Sequence, residues 1–368
     1  MKKITFLFAL MLLSIISFAQ CNGRYQTEIF NSVSKTTVNY SDVFTDAAHE
    51  VDIYTPDGDT ETNRPLILFL HGGAFYAGDK LDLYCVDFCE TFAKKGYVVA
   101  SVNYRLVSIT DITTFLTSNI AQYEAVLKGT FDLKAAVRYF RKDYATNNSY
   151  GIDPNTIFVG GYSAGAVAAI HLAYIDSISD LPTTPNNIQT LANSLGGIEG
   201  DAGNFGYSSS VSGIISFAGG IHNTDWITSN DEPLVSCQGN SDATVPYNCG
   251  PALNNSAMLN LCGAGKMHPI LDSLSITNDQ LIFTGVGHDW PVLGNAEPKF
   301  IQAMDFTKDF LYPLLPCNNA TSINDIINTN KQLIKITDLL GRETSSKENS
   351  TLIYFYNDGS VEKKHIIQ

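Results

Sequence analysis

Thr156-Ile157-Phe158-Val159-Gly160-Gly161-Tyr162-Ser163-Ala164-Gly165 is an apolar run that ends in a glycine-flanked serine, and a small-residue stretch, Ala166 to Tyr174, follows it. The spacing predicts a strand, a sharp turn and a helix, with the serine at the apex of the turn. Serine is a weak nucleophile until its hydroxyl is exposed beside a base. The glycines on either side let the backbone bend without a Cβ in the way. Ser163 is therefore the candidate nucleophile. Alone, G-x-S-x-G also describes a plain glycine turn with a surface serine, so the rest of the chain has to supply the partners.

Upstream, Arg64-Pro65-Leu66-Ile67-Leu68-Phe69-Leu70 reads as a buried strand that runs straight into His71-Gly72-Gly73-Ala74-Phe75. A tetrahedral acyl intermediate carries its charge on the former carbonyl oxygen, and backbone N–H donors stabilise it best where no side chain blocks their approach. Gly72 and Gly73 meet that requirement, and His71 is expected to hold the loop by hydrogen bonds. These two motifs, with Tyr104-Arg105-Leu106, the amphipathic Asp132 to Arg141 and Tyr150-Gly151-Ile152-Asp153-Pro154, resemble the α/β-hydrolase superfamily. Within it the resemblance is to carboxylesterase and hormone-sensitive-lipase-like enzymes, over Val38 to Leu315. It implies an α/β fold, a mostly parallel central sheet with helices on both faces, and a third oxyanion donor at the N–H of Ala164. Two positions depart from the family pattern: Ala74 stands for the third glycine of the loop, and Ala166 for the second glycine of the elbow. They leave the subfamily open, and with it the choice among simple esters, acylated sugars and larger lipid or polyester substrates.

In this layout an acid and then a histidine follow the serine, each just past the carboxyl end of a later strand. Pro233 to Gln238 reads as a strand, and the polar turn after it carries one carboxylate, Asp242. Gln280 to Thr284 reads as another, and the turn after it carries His288. Asp242 is the expected orienting acid and His288 the expected general base. The other six of the seven histidines are less well placed. His49 and His71 precede the serine, His171 lies on the helix behind the elbow, and His365 sits in the tail. His222 precedes the acid, and His268 falls in a Cys/Gly/Pro-rich loop. Asp289 adjoins His288 and is expected to point elsewhere.

Alternating strands and helices argue for a sheet covered on both faces. Two early strands (Lys35 to Tyr40, His49 to Tyr54) come first, a helix from Leu83 to Lys95 follows the third strand, and a long helical region (Ile120 to Tyr144) precedes the elbow. Ser177 to Tyr207, rich in Pro and Asn, reads as an inserted loop that could roof the acyl pocket, with Phe205, Tyr207 and Trp226 as lining. Trp290 beside His288 is a further lining candidate.

The ends differ in character from the middle. Lys2-Lys3, the apolar Ile4 to Phe18 and the small-residue site at Ala19 read as a secretory signal peptide over residues 1–19. Gln20 before Cys21 argues against lipidation of that cysteine. The hydrolase domain is expected over 20–317. Residues 318–368 form a linker and a small β segment, with Asp358-Gly359 as a hairpin turn. Its Asp338-Leu339-Leu340-Gly341-Arg342-Glu343 and Tyr356-Asn357-Asp358-Gly359-Ser360-Val361-Glu362 blocks resemble the sorting domains of the Bacteroidetes type IX secretion system. That resemblance implies export to the cell surface or beyond, with the secretion machinery as partner. The seven cysteines suit an oxidising destination. Cys85 could pair with Cys89, and Cys237, Cys249, Cys262 and Cys317 could form two further bridges and leave Cys21 free; the sequence does not choose among these connectivities. Net charge of −14 gives no cationic surface for nucleic acid. No Cys/His spacing resembles a zinc site, and the chemistry calls for neither metal nor cofactor.

The reading is thus a secreted serine hydrolase that cleaves carboxylic esters through an acyl-enzyme. An amidase or exopeptidase on the same fold is one alternative, which an acidic pocket for a free amino group would favour. A catalytically dead surface-binding protein is another, which labelling of Ser163 by a fluorophosphonate would separate.

Overall fold

The computed structural model describes Cys21, residues 23–317 and, in the tail, 333–338, 342, 344, 350–356 and 361–366. The signal peptide read over 1–19, the linker from 318 to 332 and the Asp358-Gly359 turn lie outside the described residues. The chain divides into two compact units, Cys21–Leu315 and one that holds the C-terminal strands.

The larger unit is built on an eight-stranded sheet. Its strands are β1 (Val33–Asn39), β2 (Glu50–Pro56), β3 (Arg64–Leu70), β4 (Val98–Val102), β5 (Ile152–Tyr162), β6 (Gly213–Phe217), β7 (Leu234–Gly239) and, after a separate hairpin β8 (Cys249–Pro251) and β9 (Asn260–Cys262), β10 (Asn278–Phe283). Their spatial order is β1-β2-β4-β3-β5-β6-β7-β10. The pairs β1/β2 and β2/β4 are antiparallel, and every later pair is parallel. The expected mostly parallel sheet is what forms.

The longer helices are α1 (Leu83–Lys94), α2 (Asn119–Thr146), α3 (Ala164–Tyr174), α4 (Ala264–Ser273) and α5 (Pro298–Leu311). All seven residues of β3 are buried, which is why the strand reads as an unbroken apolar run instead of an alternating one. Leu66, Leu68 and Leu70 join the core that contains Phe131, Ala135, Val167 and Ile170 of α2 and α3. Phe69, on the opposite face, stacks on Phe88 of α1 at 4.0 Å, and Phe217 of β6 meets Phe300 of α5 at 6.2 Å. Burying an aromatic ring of that size stabilises the fold by about 1.5–3 kcal/mol. Every residue of α3 is buried. Its alanines keep the helix thin enough to lie close against the sheet, so the turn before it is held on both sides.

The smaller unit is a three-stranded antiparallel sheet, β11 (Leu333–Asp338), β12 (Ser350–Tyr356) and β13 (Val361–Ile366), in that order. It agrees with the two or three short strands expected of the tail. Among the described residues, no helix is long and apolar enough to cross a membrane.

Candidate active site

Ser163 sits where β5 becomes α3, with φ +53° and ψ −118°, a left-handed backbone that costs a non-glycine residue on the order of 1–3 kcal/mol. Its N–H donates to the Phe217 carbonyl at 2.8 Å, and its carbonyl accepts from Val167 at 2.9 Å, so both ends of the turn are tied down. A Cβ at Gly161 would approach the Leu70 carbonyl to 2.6 Å, and one at Gly165 the His71 carbonyl to 2.6 Å. The two glycines of the pentapeptide are therefore needed for close approach to the neighbouring strand. Ser163 Oγ lies 2.8 Å from His288 Nε2, and His288 Nδ1 lies 2.7 Å from Asp242 Oδ2. The other Asp242 oxygen accepts from the N–H groups of Thr244 and Val245, each at 2.9 Å. With the side chain fully buried, these bonds fix the carboxylate. Asp242 follows β7 and His288 follows β10, so the three groups come from one edge of the sheet, past the carboxyl ends of parallel strands.

The oxyanion loop differs in one donor from the expectation. The Gly72 N–H donates to the Tyr84 hydroxyl at 2.8 Å, and that hydroxyl donates onward to Asp82 Oδ2 at 3.0 Å. It is committed to holding the loop and is not available to a substrate oxygen. The N–H groups of Gly73, Ala74 and Ala164 make no such bond among the described residues. Gly73 (φ +108°) and Ala74 (φ +53°) both have positive φ, and both line a hollow that they share with Ser163. Ala74, noted in the sequence only as a departure, is thus a donor candidate in its own right. His71 holds the loop as expected: its Nδ1 lies 2.7 Å from the Gly72 carbonyl and its ring stacks on Tyr104 at 4.4 Å. Tyr104 in turn donates to the His71 carbonyl at 2.9 Å.

Comparison with known proteins bears on the fold. Residues 51–221 match the BD-FAE family model, a span that holds the oxyanion loop and the elbow. Gut esterase 1 of Caenorhabditis elegans is 30% identical over 108 residues, which is 29% of this chain and 18% of that protein. The chain thus spans about a fifth of the length of the curated relatives it matches. A truncated carbohydrate esterase from gut microbiota superposes with a TM-score of 0.54 at 18% identity, covering 78% of this chain and 97% of that one. A propionate-bound thermophilic esterase of Thermogutta terrifontis gives 0.51 at 18%, covering 75% and 93%. The fold is that of the α/β-hydrolases.

Two hollows open from Ser163 on the α/β-hydrolase frame. One is an apolar cavity walled by Phe75, Phe115, Val126, Val167, Met258 and Leu261, with His222 in its lining. The other is an open cleft that contains His288, Asp289, Tyr162, Tyr76 and Leu83. The cavity is roofed by the β8–β9 hairpin and its loop, which contribute Ala252, Leu253, Met258, Leu259 and Leu261. A disulfide between Cys249 and Cys262 closes the base of that hairpin.

This corrects the expected roof. Residues 177–207 supply no wall to either hollow. They pack on α2 instead, where Arg138 bonds Glu199 at 2.7 Å and the Gly203 carbonyl at 2.9 Å, and Lys134 bonds the Ile198 carbonyl at 2.9 Å. Phe205 and Tyr207 line a different, polar cleft. Trp226 is buried and donates to the Asp180 carbonyl at 2.8 Å. Trp290 is buried against Phe283 and Phe217, at 4.9 and 5.3 Å. Buried polar anchors on α2 outweighed the composition of the insert, a signal that lies in α2 and not in the insert itself.

The other titratable groups are also placed. His171 and His222 pair with each other, His171 Nε2 2.7 Å from His222 Nδ1. His49 is buried between Asp46 and Asp132. His268, expected in a loop, lies in α4 with its Nδ1 2.6 Å from Asn278 Oδ1. Asp289 accepts from the Tyr162 hydroxyl at 3.3 Å and stands outside the Ser-His-Asp chain. Cys85, Cys89 and Cys237 are free and buried, so neither the Cys85–Cys89 bridge nor one through Cys237 forms, and Cys21 is disulfide-bonded instead of left over. Among the described residues, no cluster of His, Cys, Asp or Glu is arranged to hold a metal ion.

Proposed function

We propose that the chain is a serine esterase that cleaves carboxylic esters through an acyl-enzyme on Ser163. The observation that carries this reading is the unbroken hydrogen-bonded chain from Ser163 Oγ through His288 to Asp242 beside an apolar cavity. His288 Nε2 takes the Ser163 proton as Oγ adds to the ester carbonyl, and Asp242 keeps the other ring nitrogen protonated and steadies the imidazolium. The developing oxyanion is met by the N–H groups of Ala164 and Gly73, with Ala74 next in line. Collapse of the intermediate expels the alcohol, which takes its proton from His288 Nε2. Water then enters by the same path, gives a proton to His288, and releases the acid.

The geometry also divides the substrate. The alcohol must leave beside His288, so the open cleft is the alcohol side and the closed apolar cavity the acyl side. An open alcohol side fits a small acyl ester carried on a large group such as a polysaccharide, and the esterase names among the relatives are in keeping with that. None of the described residues that line the acyl cavity is acidic, which removes the feature that a free amino group, and hence an exopeptidase, would need. The proposed setting is extracellular or surface-attached, by way of the signal peptide and type IX sorting segment read in the sequence. The test is turnover of p-nitrophenyl acetate, butanoate and palmitate by wild type and Ser163→Ala. Loss of about 10⁴-fold or more in kcat is expected. Ester turnover that survives in Ser163→Ala, or a folded wild type that a fluorophosphonate leaves unlabelled, would refute the reading.

A further inference from the structure

Among the polar side chains that line the acyl cavity, Thr244 carries a hydroxyl that can both donate and accept, whereas His222 is a group whose role is dictated from behind. Gln122, which also lines the cavity, is fully engaged: its amide donates to the Phe115 and Ala257 carbonyls at 2.9 and 3.1 Å, and its oxygen accepts from the Leu259 N–H at 2.8 Å. His222 is different. Its Nδ1 is turned to His171, while its Nε2 has no partner among the described residues and yet is not sealed away as a buried unpaired atom. His222 lines the cavity, and with Nδ1 turned to His171 its remaining polar side-chain atom is Nε2.

The state of Nε2 follows from a relay of three groups. The Val167 carbonyl can only accept, so His171 Nδ1, 2.7 Å away, carries a proton. Burial holds the His171 pKa down to about 4, which leaves the ring neutral near pH 7 with a lone pair on Nε2. His222 Nδ1 must then be the donor in the 2.7 Å contact between the two rings. Burial, with the His171 ring beside it, also keeps His222 well below the usual imidazole range. His222 Nε2 is consequently a bare acceptor on a mostly apolar wall. An alkyl chain laid against it would strip its water and leave it unpaired, whereas a hydroxyl would satisfy it. An ammonium would also donate, but no carboxylate among the described lining residues offsets its desolvation.

We propose that His222 is a specificity-determining residue whose Nε2 selects acyl groups that carry a hydroxyl, with His171 and the Val167 carbonyl as the positioning groups that keep it an acceptor. The proposal rests on the esterase reading and on the assignment of this cavity to the acyl side. The experiment compares kcat/KM within two pairs of esters on the wild-type protein by pH-stat: ethyl 3-hydroxybutanoate against ethyl butanoate, and ethyl 6-hydroxyhexanoate against ethyl hexanoate. In at least one pair the hydroxylated member should be favoured about tenfold or more, and His222→Phe should bring that ratio to one or below. Long-range imidazole ¹⁵N spectra of the wild type should show His171 and His222 both as the Nδ1–H tautomer. Ratios at or below one in both wild-type pairs would overturn the proposal, and so would an Nε2–H tautomer at His222. Absence of Ser163-dependent turnover of every ester would instead sink the esterase reading, and the His222 tautomer would then decide the acceptor by itself.

Discussion

Two adjacent glycines in the oxyanion loop do different jobs. Gly72 spends its N–H on Tyr84, so its contribution is to hold the loop in place. Gly73 has a free N–H and a φ of +108°, and a Cβ there would run into the Ala77 carbonyl. Gly73→Ala should therefore displace a donor without touching Ser163, His288 or Asp242. A loss of about 10²–10³ in kcat with a small change in KM is the expected result. Steady-state kinetics on p-nitrophenyl butanoate would check it, and an unchanged kcat would remove Gly73 from the donor set.

At the scale of elements, the β8–β9 hairpin matters most for what fits beside Ser163. The Cys249–Cys262 bridge spans a sequence separation of 13 and pins the two ends of a loop whose middle is held by Gln122 of α2. Replacing both cysteines by serine should lower stability by about 3 kcal/mol. It should also raise KM for the butanoate ester several-fold more than for the acetate, since only the longer chain reaches Met258 and Leu261. Equal changes in KM for the two esters would show that the hairpin is not the acyl wall.

This hairpin is also where the sequence was least legible. Ser163, Asp242 and His288, which the structure brings into one hydrogen-bonded chain, stand out in the sequence because each lies in a short polar or glycine turn after a strand. The mostly parallel character of the sheet likewise follows from strands and helices that alternate in the chain. The roof has no such signature: β8 and β9 are three residues each, too short for an alternating pattern. Tyr84, which removes Gly72 from the donor set, meets it across twelve positions of loop and helix, a distance at which no periodicity speaks. His222 could be weighed as a rival base but not as a pocket residue, because its partner His171 lies on another element.

For the molecule as a whole, two groups give stability opposite slopes with pH. His171 titrates near 4 in the folded state because burial disfavours its charge, against about 6.5 in an unfolded chain. Its contribution is complete above about pH 6.5 and is lost as the pH falls toward 4. Glu232 is pushed up to about 7, chiefly by burial and then by the charges of Asp231 and Asp176. Its folded form prefers the proton, so stability falls as pH rises from the ordinary carboxylate range to 7. Glu232→Gln should remove that second slope. The unfolding free energy from urea curves should exceed that of wild type by about 1 kcal/mol at pH 8, after a discount for the solvated part of the side chain, and should converge with it near pH 4. A uniform offset at all pH values would assign the effect to packing instead.

The proposed base and the proposed nucleophile do not share the same mechanical security. Ser163 rises from β5, which is paired on both sides, whereas His288 hangs from β10, the last strand of the sheet, bonded only to β7. Two of the six residues of β10 are exposed and one is buried. Peeling one border strand therefore disconnects the proton acceptor while the rest of the sheet stays intact, and proteins open in such cooperative pieces before they unfold globally. Catalytic competence then has a melting transition of its own, earlier than that of the fold. In a urea series, esterase turnover should vanish before the far-ultraviolet circular dichroism changes, with amide exchange fastest along β10. Coincident transitions would mean that the border strand and the centre of the sheet unfold as one.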